Sequence, residues 1–249
     1  MQKFNSDGVE IAFDMWGEGP PVLLIHGFAS NMNVNWVGTG WVKTLVAAGH
    51  QVIAIDNRGH GQSEKLYDSD LYSAPIMADD AARLLRHLKI EKADVMGYSM
   101  GARISAFLTM QNPGMVRCAV FAGLASRMIT GVGGSEAIAL ALEAPTAADA
   151  PDRDSRGFRL FAEQTKSDLK SLAACIRSSR VKIKEEALAA IKVPVLVVAG
   201  ELDNVAGKVE GLTSIIPGSK GVVLPNRNHM NAVGDSVYKS AVVEFLNAD

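Results

Sequence analysis

The sequence predicts an α/β protein: a doubly wound, mostly parallel sheet with an N-terminal antiparallel hairpin and a helical cap inserted between two strands. Three observations predict it. Short apolar runs alternate with longer amphipathic ones over most of the chain. The short runs are continuously apolar rather than alternating, as strands buried on both faces of a parallel sheet must be. The alternation breaks once, over residues 126–190, where no strand pattern occurs.

In chain order, Asp7-Gly8 reads as a hairpin turn feeding a strand at 9–15. Further strands are expected at 22–25, 52–55, 93–96, 116–122, 193–199 and 221–224. Between them, Met77, Ala81, Leu84, Leu85 and Leu88 fall on one helical face, and 100–111 and 237–246 carry the same period. Strand–helix alternation of this kind builds a doubly wound sheet whose sites lie at the carboxyl ends of its strands. The Ala-rich stretch 126–190, punctuated by Gly131, Gly133, Gly134, Pro145 and Pro151, reads as short helices near 136–143, 158–166 and 169–177. The expected organisation is a core of 1–125 and 191–249 with a cap of 126–190.

Composition narrows the function classes. The 249 residues are 48% hydrophobic and 21% charged, the balance of a globular protein with a full core. Lys and Arg number 25 against 27 Asp and Glu, so no electrostatic footprint points to a nucleic acid or an anionic membrane. Two cysteines, Cys118 and Cys175, exclude a disulfide-built fold, and Cys118 sits in an apolar run as a buried thiol would. No leader pattern opens the sequence, and no apolar run approaches the ~18–20 residues of a membrane span. A cytoplasmic protein is expected.

Gly97-Tyr98-Ser99-Met100-Gly101 is the strongest chemical signal. G-x-S-x-G alone proves little, but here it follows a strand and opens a helix, a turn that pushes a serine out above the sheet. Serine needs a base held by a third group. His229, in the polar loop 225–231 between the last strand and the final helix, supplies the base. His50 precedes a strand and belongs at the opposite edge of the sheet, and His87 lies on a helix. Asp203 follows the strand ending in Val198-Ala199-Gly200 and supplies the orienting carboxylate, with Glu201 as its local rival.

The order Ser99, Asp203, His229, with the strand–turn–helix setting of Ser99, resembles the α/β-hydrolase superfamily, in its serine esterase branch, over nearly the whole chain from Val9 onward. Two further segments are similar to it. His26-Gly27-Phe28-Ala29 resembles the oxyanion loop, and the resemblance implies that the Phe28 and Met100 backbone N–H groups hold the oxyanion, with His26 bracing the loop. The run from Asp56 to Ser63 resembles the D-x-R-G-x-G-x-S turn, implying that Asp56 and Arg58 hydrogen-bond its backbone. Relatives in which the acid follows the earlier strand find no carboxylate here in Gly123-Leu124-Ala125-Ser126. Many members carry a proline just beyond the acid, where this chain has Asn204-Val205-Ala206.

A serine where related dehalogenases and epoxide hydrolases carry aspartate implies an acyl-enzyme. The expected activity is hydrolysis of a small-molecule carboxylic ester of a short-to-medium organic acid, with no metal and no cofactor. The same residues also serve lactone opening, carbon–carbon cleavage of a ring-fission diketone, perhydrolysis or a slow-turnover receptor. Candidate substrate contacts are Tyr98, Met128, Ile129, Phe158, Phe161 and Met230, several of which would equally pack the cap onto the sheet.

Overall fold

A computed structural model describes residues 1–248. The strands are β1 (Gln2–Ser6), β2 (Val9–Trp16), β3 (Pro21–Ile25), β4 (Gln51–Ile55), β5 (Ala93–Tyr98), β6 (Val116–Ala122), β7 (Val195–Gly200) and β8 (Lys220–Leu224). Among the described residues they form one eight-stranded sheet in the order β1-β2-β4-β3-β5-β6-β7-β8. The β1–β2 and β2–β4 pairs are antiparallel and the rest parallel. Residues Asp7 and Gly8 turn the hairpin in positive φ, 54° and 89°.

The central strands are apolar along most of their length because each face packs against helices, and the two charges they carry, Asp94 of β5 and Arg117 of β6, pair with each other. In β3, Leu23 and Ile25 enter one core layer and Val22 and Leu24 the other. The first layer is closed by α2 (Ala74–His87) and α3 (Met100–Gln111), the second by α1 (Trp41–Ala47) and α10 (Ser236–Leu246). Tyr238, Val242 and Leu246 of α10 are buried there beside Trp41 and Leu45 of α1.

From β3 the chain crosses to β4 on one side and returns to β5 on the other. This reversal is the topological switch point, and it opens a crevice beyond the carboxyl ends of β3 and β5. The paired residues Ile25 and Gly97 bring those two ends side by side. Between β6 and β7 lie α4 (Arg127–Thr130), α5 (Ser135–Glu143), α6 (Arg153–Gln164), α7 (Leu169–Ser178) and α8 (Glu185–Ala189), and α9 (Glu210–Thr213) follows β7.

The helix α6 starts earlier than its apolar pattern suggested. Asp152 caps it, accepting from Ser155 N while Asp152 N donates to Ser155 Oγ, a reciprocal cap that fixes the start ahead of any apolar residue. Among the described residues no helix is long and apolar enough to cross a membrane.

Candidate active site

Ser99 sits between β5 and α3 with φ 57° and ψ −114°, a conformation an L-residue rarely adopts. Its flanking glycines make the turn feasible. A Cβ on Gly97 would run into the Gly101 carbonyl, and one on Gly101 into the Ile25 carbonyl. Helix and strand therefore approach closely enough to hold the serine in its strained geometry while Ser99 N donates to Ala122 O at 2.7 Å.

His229 reaches Ser99 from the loop after β8, with Nε2 3.0 Å from Oγ, while Nδ1 lies 2.8 Å from Asp203 Oδ2. The second oxygen of Asp203 accepts from Val205 N and Ala206 N at 3.0 and 2.9 Å. The loop without the proline is thus pinned by the carboxylate itself. Asp203 is buried; the rival Glu201 is exposed and accepts from Asn226 N at 3.0 Å. The histidine loop is fastened as well: Tyr98 Oη donates to the His229 carbonyl at 2.6 Å, and Trp41 Nε1 to the Val233 carbonyl at 2.6 Å. Burial drives the Tyr98 phenol well above its ordinary range, keeping it a proton donor.

Phe28 and Met100 both border the same cleft as Ser99, and among the described residues neither backbone N–H has a protein acceptor. The loop carrying Phe28 is braced from below. His26 Nδ1 donates to the Gly27 carbonyl at 2.7 Å, leaving Nε2 to accept from Asn57 N at 3.0 Å. Burial pushes the His26 imidazole down to about 4, so it stays neutral. Asn35 was not singled out from the sequence; its Oδ1 accepts from Gly27 N at 3.1 Å, and it borders the cleft.

The cleft has a volume of about 1040 Å³ and runs between the switch point and the inserted helices. Tyr98, Phe158, Phe161 and Met230 line it. Met128 and Ile129 do not, which corrects the expectation for both. Met128 is fully buried in the core, and Ile129 packs against the same core layer, because α4 is a single turn tucked against the sheet. Arg58 also departs from expectation. Rather than its own turn, it grips Asp80 through Nε and Nη2 at 2.7 and 2.8 Å and the Leu71 carbonyl through Nη1. Asp56 does bind its turn, accepting from Gln62 N at 2.8 Å. His50 is buried at the start of β4, and His87 is exposed and stacks on Phe4 at 5.4 Å. Both cysteines are free and buried.

A mostly parallel sheet with a strained serine at its switch point, a histidine after the last strand and a carboxylate after the one before it defines the class of α/β hydrolases. The family model of the alpha/beta hydrolase fold matches residues 20–168, and the chain belongs to that family. A non-heme chloroperoxidase of Kitasatospora aureofaciens is 36% identical over 118 residues, 46% of this chain and 40% of that protein. The alignment thus spans less than half of that relative. A 2-(acetamidomethylene)succinate hydrolase of Mesorhizobium japonicum is 29% identical over 93% of this chain and 90% of its own. Among solved structures, the enol-lactonase of Burkholderia xenovorans superposes with a TM-score of 0.82 at 21% identity, covering 99% of this chain and all (100%) of that one.

Proposed function

We propose that the protein is a serine hydrolase that cleaves carboxylic esters of short-to-medium organic acids through an acyl-enzyme on Ser99. The observation that carries this reading is the continuous path from Ser99 Oγ through His229 Nε2 and Nδ1 to Asp203 Oδ2, at 3.0 and 2.8 Å.

In this reading His229 takes the Ser99 proton as Oγ attacks the ester carbonyl, and Asp203 holds the ring in the tautomer that leaves Nε2 free to accept. The unengaged N–H groups of Phe28 and Met100 receive the developing oxyanion. One such donor typically lowers the barrier by about 2.7–4 kcal/mol. The imidazolium then protonates the departing alcohol, and a water activated by His229 releases the acid and restores Ser99. The cleft is wide enough for an acyl chain of several carbons, and the aromatic rings of Phe158 and Phe161 give it apolar walls.

The test is labelling by a fluorophosphonate probe together with turnover of p-nitrophenyl esters of increasing chain length, beside Ser99→Ala. Labelling and turnover are expected in the parent and absent in the variant. A parent that takes up no probe overturns the reading. A labelled parent that ignores every ester but opens a lactone or cleaves a vinylogous diketone keeps the nucleophile and moves the substrate class.

A further inference from the structure

Among the described residues three arginines are buried, Arg58, Arg103 and Arg159. Arg58 is held by the Asp80 carboxylate, and Arg159 Nε by Glu163 Oε1 at 2.7 Å. Arg103 meets no carboxylate among the described residues. Its Nη1 donates to the carbonyls of Met128, at 3.3 Å, and Val181, while Nε and Nη2 have no protein acceptor. Unlike the other two, it borders the Ser99 cleft, one turn of α3 beyond Ser99.

A second guanidinium stands beside it. Arg180 lines the same cleft, donates to the Gly133 carbonyl, and lies over the Phe158 ring with its central carbon 5.7 Å from the centroid. It too has no carboxylate within ion-pair distance among the described residues. The charge of Arg180 reinforces the burial that pushes Arg103 down to about 10, and burial pushes Arg180 to about 10. Both therefore remain cations at neutral pH. The aspartates on the wall, Asp152 and Asp154, are exposed at the start of α6, and Asp152 is occupied in capping it. The buried Ser179 hydroxyl, also on the wall, has no protein nitrogen or oxygen as partner among the described residues.

Fastening the inserted segment to α3 needs only the Nη1 bonds of Arg103. It does not need a second cation brought close enough to repel the first. Two like charges withdrawn from water without a counter-charge are costly, and an arriving anion removes that cost. The free fork of Arg103 and the guanidinium of Arg180 present planar donor edges of the kind that bind a carboxylate in pairs. The exposed charges on the rim, Asp152 and Asp154 against Arg127 and Arg153, offset one another and leave the two inner guanidinium groups as the site for an anion.

We propose that Arg103 and Arg180 form a carboxylate-binding subsite in the Ser99 cleft, so that the natural substrate is a small ester bearing a second, free carboxylate. The proposal rests on the serine-hydrolase reading for the word ester, but its binding arm can be tested without turnover. For p-nitrophenyl hydrogen glutarate and its neutral methyl ester, the parent is expected to prefer the acid at least tenfold in kcat/KM. That ratio is expected to fall towards one in Arg180→Met and to recover in part in Arg180→Lys. Separately, Ser99→Ala is expected to bind monomethyl glutarate by calorimetry, and Ser99→Ala with Arg180→Met to bind it at least tenfold more weakly. A parent ratio of one, or equal binding by the single and double variants, overturns the subsite. No release of p-nitrophenolate from either ester above the spontaneous rate in buffer, while monomethyl glutarate still binds through Arg180, would instead sink the ester reading and leave the subsite standing.

Discussion

At the scale of single residues, the site depends on side chains whose alternatives are already engaged. Asp203 spends one oxygen on His229 and the other on the amides of Val205 and Ala206, so its orientation is fixed from both sides. Asp203→Asn must turn its NH2 either towards His229, which loses the imidazole tautomer, or towards the amides of Val205 and Ala206, which loses both bonds that hold the carboxylate in place. A fall in kcat of about 10⁴ is expected, by analogy with the same change in a trypsin-like triad. Glu201→Gln, which alters only an exposed bond to Asn226 N, should leave kcat within about twofold, in the range of neutral surface changes. Steady-state kinetics on one ester decide between them, and an effect of Glu201→Gln as large as that of Asp203→Asn would show the acid to be misassigned. Gly101 is constrained by space alone: a Cβ there would meet the Ile25 carbonyl, and backbone cannot rotate away as a side chain can. Gly101→Ala should cost on the order of 3 kcal/mol, read from the urea midpoint, with Ser99 labelling lost in whatever protein folds.

At the scale of elements, the five strands β3 to β7 were legible because each is buried on both faces and so spells a largely apolar run, whereas β1, polar and mostly exposed, was implied only by the hairpin turn at Asp7-Gly8. Met100–Gln111 was equally legible, since a strand, a glycine turn and a helical period follow one another. The short helices α4, α8 and α9 were not: each has one turn or little more, and such helices draw their stability from tertiary packing rather than from local periodicity. The same limit explains Met128. Its apolar character was plain, but whether it faced a cleft or a core depended on how α4 met the sheet. Arg103 left a trace in the sequence as a lone charge among Met100, Ala102 and Ile104, four residues from Ser99 and thus on its face of the helix. Arg180 left none, because only the packing of the inserted segment brings it to that place. The loop carrying His229 belongs to this scale too, because Tyr98 at the end of β5 anchors its backbone through a 2.6 Å bond. Tyr98→Phe leaves that partly buried carbonyl unpaired. A loss of about 1–3 kcal/mol in stability is expected from urea denaturation, with kcat falling more than KM changes. Unchanged stability and kcat would show that the loop holds its place without that bond.

At the scale of the whole molecule, folding couples to pH through a pair of buried rings beneath the loop that carries Phe28. His26 and His60 lie 5.2 Å apart, and each donates from Nδ1 to a backbone carbonyl, of Gly27 and Arg58. Burial is the chief cause that holds His26 down to about 4 and His60 to about 3, against an ordinary 6.5, and each ring's charge would oppose the other's. In the unfolded chain both titrate near the ordinary value. As pH falls below it, the unfolded state takes up protons that the folded state refuses, and stability is lost. The contribution is complete above pH 6.5 and declines as pH falls towards the folded values. His26 alone accounts for roughly 2 kcal/mol lost by pH 5, at about 1.4 kcal/mol per unit. The second ring, held lower still, adds a comparable loss, since at pH 5 both rings are still mostly neutral in the folded state. Asp56, raised by its own burial, acts in the opposite sense, because the folded state protonates it more readily than the unfolded one. The rings lose their own contribution between pH 6.5 and 5, where their unfolded forms take up protons. Urea midpoints measured across that window should therefore fall steadily. In His60→Leu the protein should be less stable at pH 7, with the Arg58 carbonyl unpaired, yet lose less on acidification. A parent midpoint that stays level from pH 7 to pH 5 would mean that neither ring is held neutral by the fold.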